Sequence, residues 1–223
     1  MLYVKQRGVS ADLTVMKPFA LLAVFGLMAS SARIVNFDAD ALGKIPPGWS
    51  VPTNGGSPAR WEILRDGTAP TKPYVLGQLS ADASGDRFPL AILNSVSLRD
   101  GDVSVRLKPV AGRLDQSGGV VFRYRDPKNY YLALADFKQQ SVELFKVANG
   151  QRIPIASPAK HELPSNAWRI LKVSVGGNAI QVYLDHRRVL SAQDKTFTAA
   201  GQVGLWTARD SVTYFDDFRV NPK

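Results

Sequence analysis

Residues 118–136 read GGVVFRYRDPKNYYLALAD, and this stretch decides the fold. Val120, Phe122 and Tyr124 alternate with Val121, Arg123 and Arg125. Successive side chains of a strand point to opposite faces, so the first half reads as a β-strand with a core side and an arginine-bearing side. Asp126-Pro127-Lys128-Asn129 is turn chemistry: proline presets φ, while Asp and Asn bond their own backbone. The return strand, Asn129 to Asp136, puts Tyr130, Leu132 and Leu134 on one face and Tyr131, Ala133 and Ala135 on the other. Taking the larger set as core leaves Arg123, Arg125 and Tyr131 on the open side of the hairpin.

The same pattern extends in both directions. Upstream, strands are expected at Ile34–Asp38, Arg60–Arg65, Tyr74–Ser80, Phe88–Asn94 and Asp102–Pro109. Two prolines and a glycine bar regular structure from Lys44 to Trp49. Downstream, Ser141–Ala148 and Arg152–Ala156 flank Asn149-Gly150, a strong two-residue hairpin signal. Trp168–Val175, Ala179–Asp185, Arg188–Ala192, Gln202–Arg209 and Val212–Val220 complete the set. No stretch after residue 32 keeps a helical period. Short strands with turns at this spacing predict a sandwich or barrel. The first and last strands are expected to pair and protect a sheet edge.

The chain divides into a leader, 1–32, and one domain, 33–223. Met16 to Ala32 has the form of a secretory signal peptide. Lys17 supplies the positive start, Phe19–Ala29 is an apolar run too short to span a membrane, and Ser30 and Ala32 suit a cleavage site. Met1 to Val15 is either sequence upstream of a true start at Met16 or a long positive region carrying Lys5 and Arg7. Export to the periplasm or beyond is expected, with no membrane span in the mature protein. A domain of about 190 residues buries enough apolar surface to stand without disulfides, and the 223 residues include no cysteine. Thiol catalysis, cysteine-ligated zinc and a lipoprotein anchor are thereby excluded.

From residue 33 onward the chain has 25 basic and 18 acidic residues. A basic surface attracts polyanions, but the charges are scattered, and export argues against nucleic acid. A monomer that binds carbohydrate is the expected form.

Five stretches carry a family resemblance: FDADALGKIPPGW from Phe37, RWEILRDGTAP from Arg60, RLDQSGGVVFRYRDPKNYYLALAD from Arg113, VELFKVANGQR from Val142, and GQVGLWTARDSVTYFDDFRV from Gly201. Together they resemble exported bacterial concanavalin-A-like lectin/glucanase (laminin-G-like) domains. These stand near the 3-keto-disaccharide hydrolase domain and the family-16 glycoside hydrolases. The resemblance implies an all-β fold, a two-sheet antiparallel jelly-roll sandwich with a glycan on its concave sheet. It implies less about activity, since one fold hosts many functions. Relatives tend to carry an arginine and a glutamate where this chain has Leu134 and Gln139.

Catalytic signals are weak. Family-16 hydrolases set carboxylates on one strand as E-x-D-x-x-E, a spacing that gathers them on one face. Here Glu62, Glu143 and Glu162 are far apart, and the motif is absent. If the chain were a hydrolase or lyase, Glu143 and Asp185 would be its carboxylates. His161 and His186 lie in expected loops with no catalytic spacing around them. A third reading is a structural or protein-interaction module.

The polar side of the expected strands offers Arg106, Arg123, Arg125, Tyr131, Lys172, Tyr183 and Trp206 as a glycan surface. Aromatic faces stack on sugar rings, and cationic groups donate to hydroxyls and carboxylates. This holds only where no β-bulge shifts the parity. Asp38, Asp216 and Asp217 are candidate ligands of a structural calcium, which takes hard oxygen donors. The alternative for them is hydrogen bonding to turn backbone.

Overall fold

The computed structural model describes residues 1–3, 32–53, 58–83 and 88–223. The leader expected at 1–32 lies almost wholly outside the described residues. In chain order the strands are β1 (Arg33–Val35), β2 (Trp49–Ser50), β3 (Trp61–Arg65), β4 (Tyr74–Gln78), β5 (Leu90–Leu98) and β6 (Gly101–Ala111). Next come β7 (Ser117–Asp126), β8 (Asn129–Asp136), β9 (Ser141–Ala148), β10 (Gln151–Pro154) and β11 (Ala159–Lys160). The last five are β12 (Arg169–Gly176), β13 (Ala179–Leu184), β14 (Arg187–Gln193), β15 (Gly201–Thr207) and β16 (Val212–Pro222). None of the described residues is helical, and no described helix is long and apolar enough to cross a membrane.

Two antiparallel sheets pack face to face. The first runs β14-β13-β12-β6-β16-β4-β3, with β1 also on β16; the second runs β10-β9-β8-β7-β15-β5-β2, with β11 also on β9. The first and last strands do pair, Arg33 opposite Val220. β16 itself is not an edge strand, however. β16 is interior, with β6 along one side. Along the other side β4 takes its first half and β1 its second.

The core follows the period-2 rule. Val103, Val105, Leu107, Leu171, Val173 and Phe215 meet Val120, Phe122, Ala133, Leu144, Val203 and Leu205 between the sheets. Burying each of the larger side chains is worth about 1.5–3 kcal/mol. Asn149 and Gly150 take φ of 51° and 80°, the two left-handed residues of a type I′ turn, which matches the twist of the strands it joins.

Two expectations for the central hairpin fail, each for a physical reason. First, the alternation of β7 breaks after Phe122. Gly204 pairs with Val121 and Gln202 with Tyr124, so three steps on β7 oppose two on β15. Arg123 absorbs the extra residue at φ 48°. Such a bulge inverts the facing of the residues beyond it. Arg123 therefore turns inward and is 1% exposed, while Tyr124 joins a separate apolar cluster on the other face. Second, β8 is apolar on both faces, and the smaller set faces the core. Tyr131, Ala133 and Ala135 line the sandwich interior, whereas Tyr130, Leu132 and Leu134 lie on the far side.

Candidate functional site

The far side of the second sheet is built by alternation from five strands. β5 contributes Leu90 and Ile92, β7 Val121, β8 Tyr130, Leu132 and Leu134, β9 Phe145 and Val147, and β15 Trp206. At the β10 end of this face is a cavity of about 340 Å³ lined by Phe88, Tyr130, Val147, Gly150, Gln151, Arg152 and Trp206.

The type I′ turn fixes register here: Arg152 stands opposite Val147 and Tyr130 opposite Val147 on its other side. All three therefore share one face. The Phe88 ring stacks on Trp206 at 5.6 Å and 19°. The Arg152 guanidinium is 5.0 Å from the ring centres of both Phe88 and Phe145, and 5.9 Å from that of Trp206. A cation over a ring face is attracted by its quadrupole. Tyr130 is buried, and burial pushes its hydroxyl well above the usual phenol range, against the pull of Arg152 and of the neighbouring Trp206. It is therefore a protonated donor at neutral pH. The buried Trp206 Nε1 has no hydrogen-bond partner of adequate geometry; the Tyr130 hydroxyl is the polar group beside it.

Of the seven expected glycan-binding residues, only Trp206 lines this cavity. Arg123 is held inside by the carbonyls of Arg99 (2.9 Å), Phe197 (2.8 Å) and Gly177 (2.7 Å), and by Asp100 at 3.3 Å. Tyr131 stacks on Phe122 and donates to Asp194 at 2.6 Å while accepting from the Phe197 N–H. Neither is available to a ligand. Arg125 lies 5.1 Å over the Phe197 ring. Arg106, Lys172 and Tyr183 belong to the first sheet. Arg106 pairs with Asp217 at 3.1 Å, and Lys172 lies 4.4 Å over its cross-strand neighbour Tyr183.

The reserve catalytic carboxylates do not share a cleft. Glu143 is on β9 of the second sheet and accepts from the Ser141 hydroxyl. Asp185, in the turn between β13 and β14, caps the Ile170 N–H and pairs with Arg169 at 2.6 Å. The three aspartates proposed for calcium are already engaged. Asp38 accepts from the Tyr74 N–H, Asp216 from the Thr71 N–H and hydroxyl, and Asp217 pairs with Arg106 and Arg219. Among the described residues, no group of three or more His, Cys, Asp or Glu is placed to hold a metal ion.

Sequence reasoning missed Phe88, Tyr130, Gln151 and Arg152. The available signal was the Asn149-Gly150 turn, whose two-residue length puts Arg152 on the face of Val147.

No protein-family model matches the chain. A levanase of Bacillus subtilis (strain 168) is 37% identical over 131 residues, which are 56% of this chain and 18% of the levanase. The chain thus spans less than a fifth of that relative's length. Among solved structures, the carbohydrate-binding module CBM66 from Bacillus subtilis is similar with a TM-score of 0.61 and 29% identity, covering 78% of this chain and 95% of that one. The Bacillus licheniformis beta-glucanase shares the fold at 11% identity, with a TM-score of 0.55 over 87% of this chain and 99% of its own. With two antiparallel sheets in a sandwich and these neighbours, the chain has the concanavalin-A-like lectin/glucanase jelly-roll fold.

Proposed function

We propose that this protein is a non-catalytic, exported carbohydrate-binding domain, and that its glycan docks in the Arg152 cavity on the outer face of the second sheet. The observation that carries the reading is the composition of that cavity. Aromatic rings, a guanidinium and the Gln151 amide line one cavity, the usual means of holding a sugar. The likeness to a carbohydrate-binding module over nearly all of that module's length supports it. So does the likeness to part of a levanase. The placement of Glu143 and Asp185 on different sheets favours binding over hydrolysis.

Affinity electrophoresis of the purified protein against levan and a panel of neutral and acidic polysaccharides tests this. Retardation by at least one glycan is expected, with loss in Arg152→Ala and no release of reducing sugar. A folded protein that no polysaccharide retards, or that hydrolyses its ligand, would contradict it.

A further inference from the structure

The cavity is unusual in its balance of donors and acceptors. Among the described residues its lining holds no Asp or Glu. Neutral sugar hydroxyls both donate and accept, whereas an ionised carboxylate only accepts. Here the exposed charged donor is Arg152, while the Tyr130 hydroxyl and Trp206 Nε1–H lie buried beside each other behind it. Among the described lining residues the exposed side-chain acceptor is the Gln151 amide oxygen.

Arg152 itself has no ion-pair partner among the described residues. Its guanidinium carbon lies 5.0 Å from the ring centres of Phe88 and Phe145. No side-chain hydrogen bond among the described residues engages its N–H groups, and a guanidinium fork matches a carboxylate bidentately.

We propose that the glycan bound here is acidic, a uronic-acid polymer whose carboxylate meets the Arg152 fork. This rests on the carbohydrate-binding reading above and adds the class of sugar. The rings under the guanidinium hold the fork in place before the ligand arrives, so little side-chain freedom is lost on binding.

The test is isothermal titration calorimetry with galacturonate and mannuronate oligomers, their carboxyl-reduced neutral counterparts, levan and dextran sulfate. Wild type, Arg152→Gln and Arg152→Lys are compared, with melting curves run in parallel. The wild type is expected to bind a uronate oligomer at least tenfold tighter than its reduced counterpart. Arg152→Gln is expected to abolish that difference with an unchanged melting curve, and Arg152→Lys to retain part of it. Equal affinity for acidic and reduced oligomers, or a preference for levan, overturns the acidic ligand but leaves the glycan reading standing. Dextran sulfate binding as tightly as the uronates overturns carboxylate recognition in favour of charge alone. Failure of every glycan to bind folded protein overturns both.

Discussion

Gly201 lies against the bulge at Arg123: a Cβ on it would stand 2.5 Å from the Arg123 carbonyl carbon and 2.7 Å from the Tyr124 oxygen. Both near atoms are backbone, so neither can swing away. Gly201→Ala must push β15 from β7 or remove the bulge. Overpacking of this kind costs about 1–3 kcal/mol. Urea denaturation is the measurement, with the midpoint expected to fall; an unchanged midpoint would show that the bulge relaxes freely.

Arg123 is the counterpart of that glycine. Its guanidinium serves three carbonyls and Asp100 from a fully buried position. Burial lowers its pKa, partly offset by Asp100. Arg123→Ala leaves those carbonyls without their donors and is expected to cost about 3–5 kcal/mol. Glycan affinity of the fraction that stays folded should not change, because the residue is buried and does not line the Arg152 cavity. Loss of affinity without loss of stability would return Arg123 to the ligand surface.

Arg152→Ala should do the reverse. The residue is exposed on a strand of four, so the melting temperature should move by no more than a few degrees, while glycan affinity falls at least tenfold. Arg106→Ala and Lys172→Ala, on the other sheet, should leave affinity unaltered. Calorimetry on the three variants separates the two surfaces.

Asp194 is one of the carboxylates whose contribution to stability should be lost in acid. Although burial opposes it, hydrogen bonds from Lys146, Thr196 and Tyr131 hold its carboxyl well below the usual range. A depressed folded-state value means that its contribution is present above the unfolded value, about 3.9, and is lost as pH falls through the folded one. Asp194→Asn should flatten the loss of melting temperature below pH 4. Tyr131→Phe should cost about 1–2 kcal/mol at pH 7 by removing the bond to Asp194.

Asp216 acts in the opposite sense. Burial raises it to about 6, against hydrogen bonds from Thr71 and the Asp217 N–H. The folded state then binds this proton more tightly than the unfolded chain. Its contribution is fully present below about pH 4 and is lost as pH rises towards 6. Asp216→Asn should remove that part of the slope between pH 4 and 6. A wild-type and variant pair with parallel melting curves across that range would show that the carboxyl does not titrate there.

Features that depend on near neighbours were legible in the sequence. The Asn149-Gly150 turn and the alternation of β6 come from local pattern and turn chemistry. The inward turn of Arg123 was not legible, because its cause lies in Gly201 and in carbonyls at 99, 177 and 197. The facing of β8 was not legible because both of its faces are apolar, and only the packed partner decides between them. The bond from Thr71 to Asp216 was not legible either, because the two residues are 145 positions apart.

The place of β10 at the margin of its sheet has a consequence for how this domain can diversify. Gln151 and Arg152 hang from a two-residue turn and one neighbouring strand, and none of the side chains of β10 is buried. Their replacement disturbs no interior packing, whereas Trp206 and Tyr130 beneath them are fixed by the scaffold. Selectivity for one saccharide or another can therefore be rewritten at the rim by single substitutions, at almost no cost in foldability.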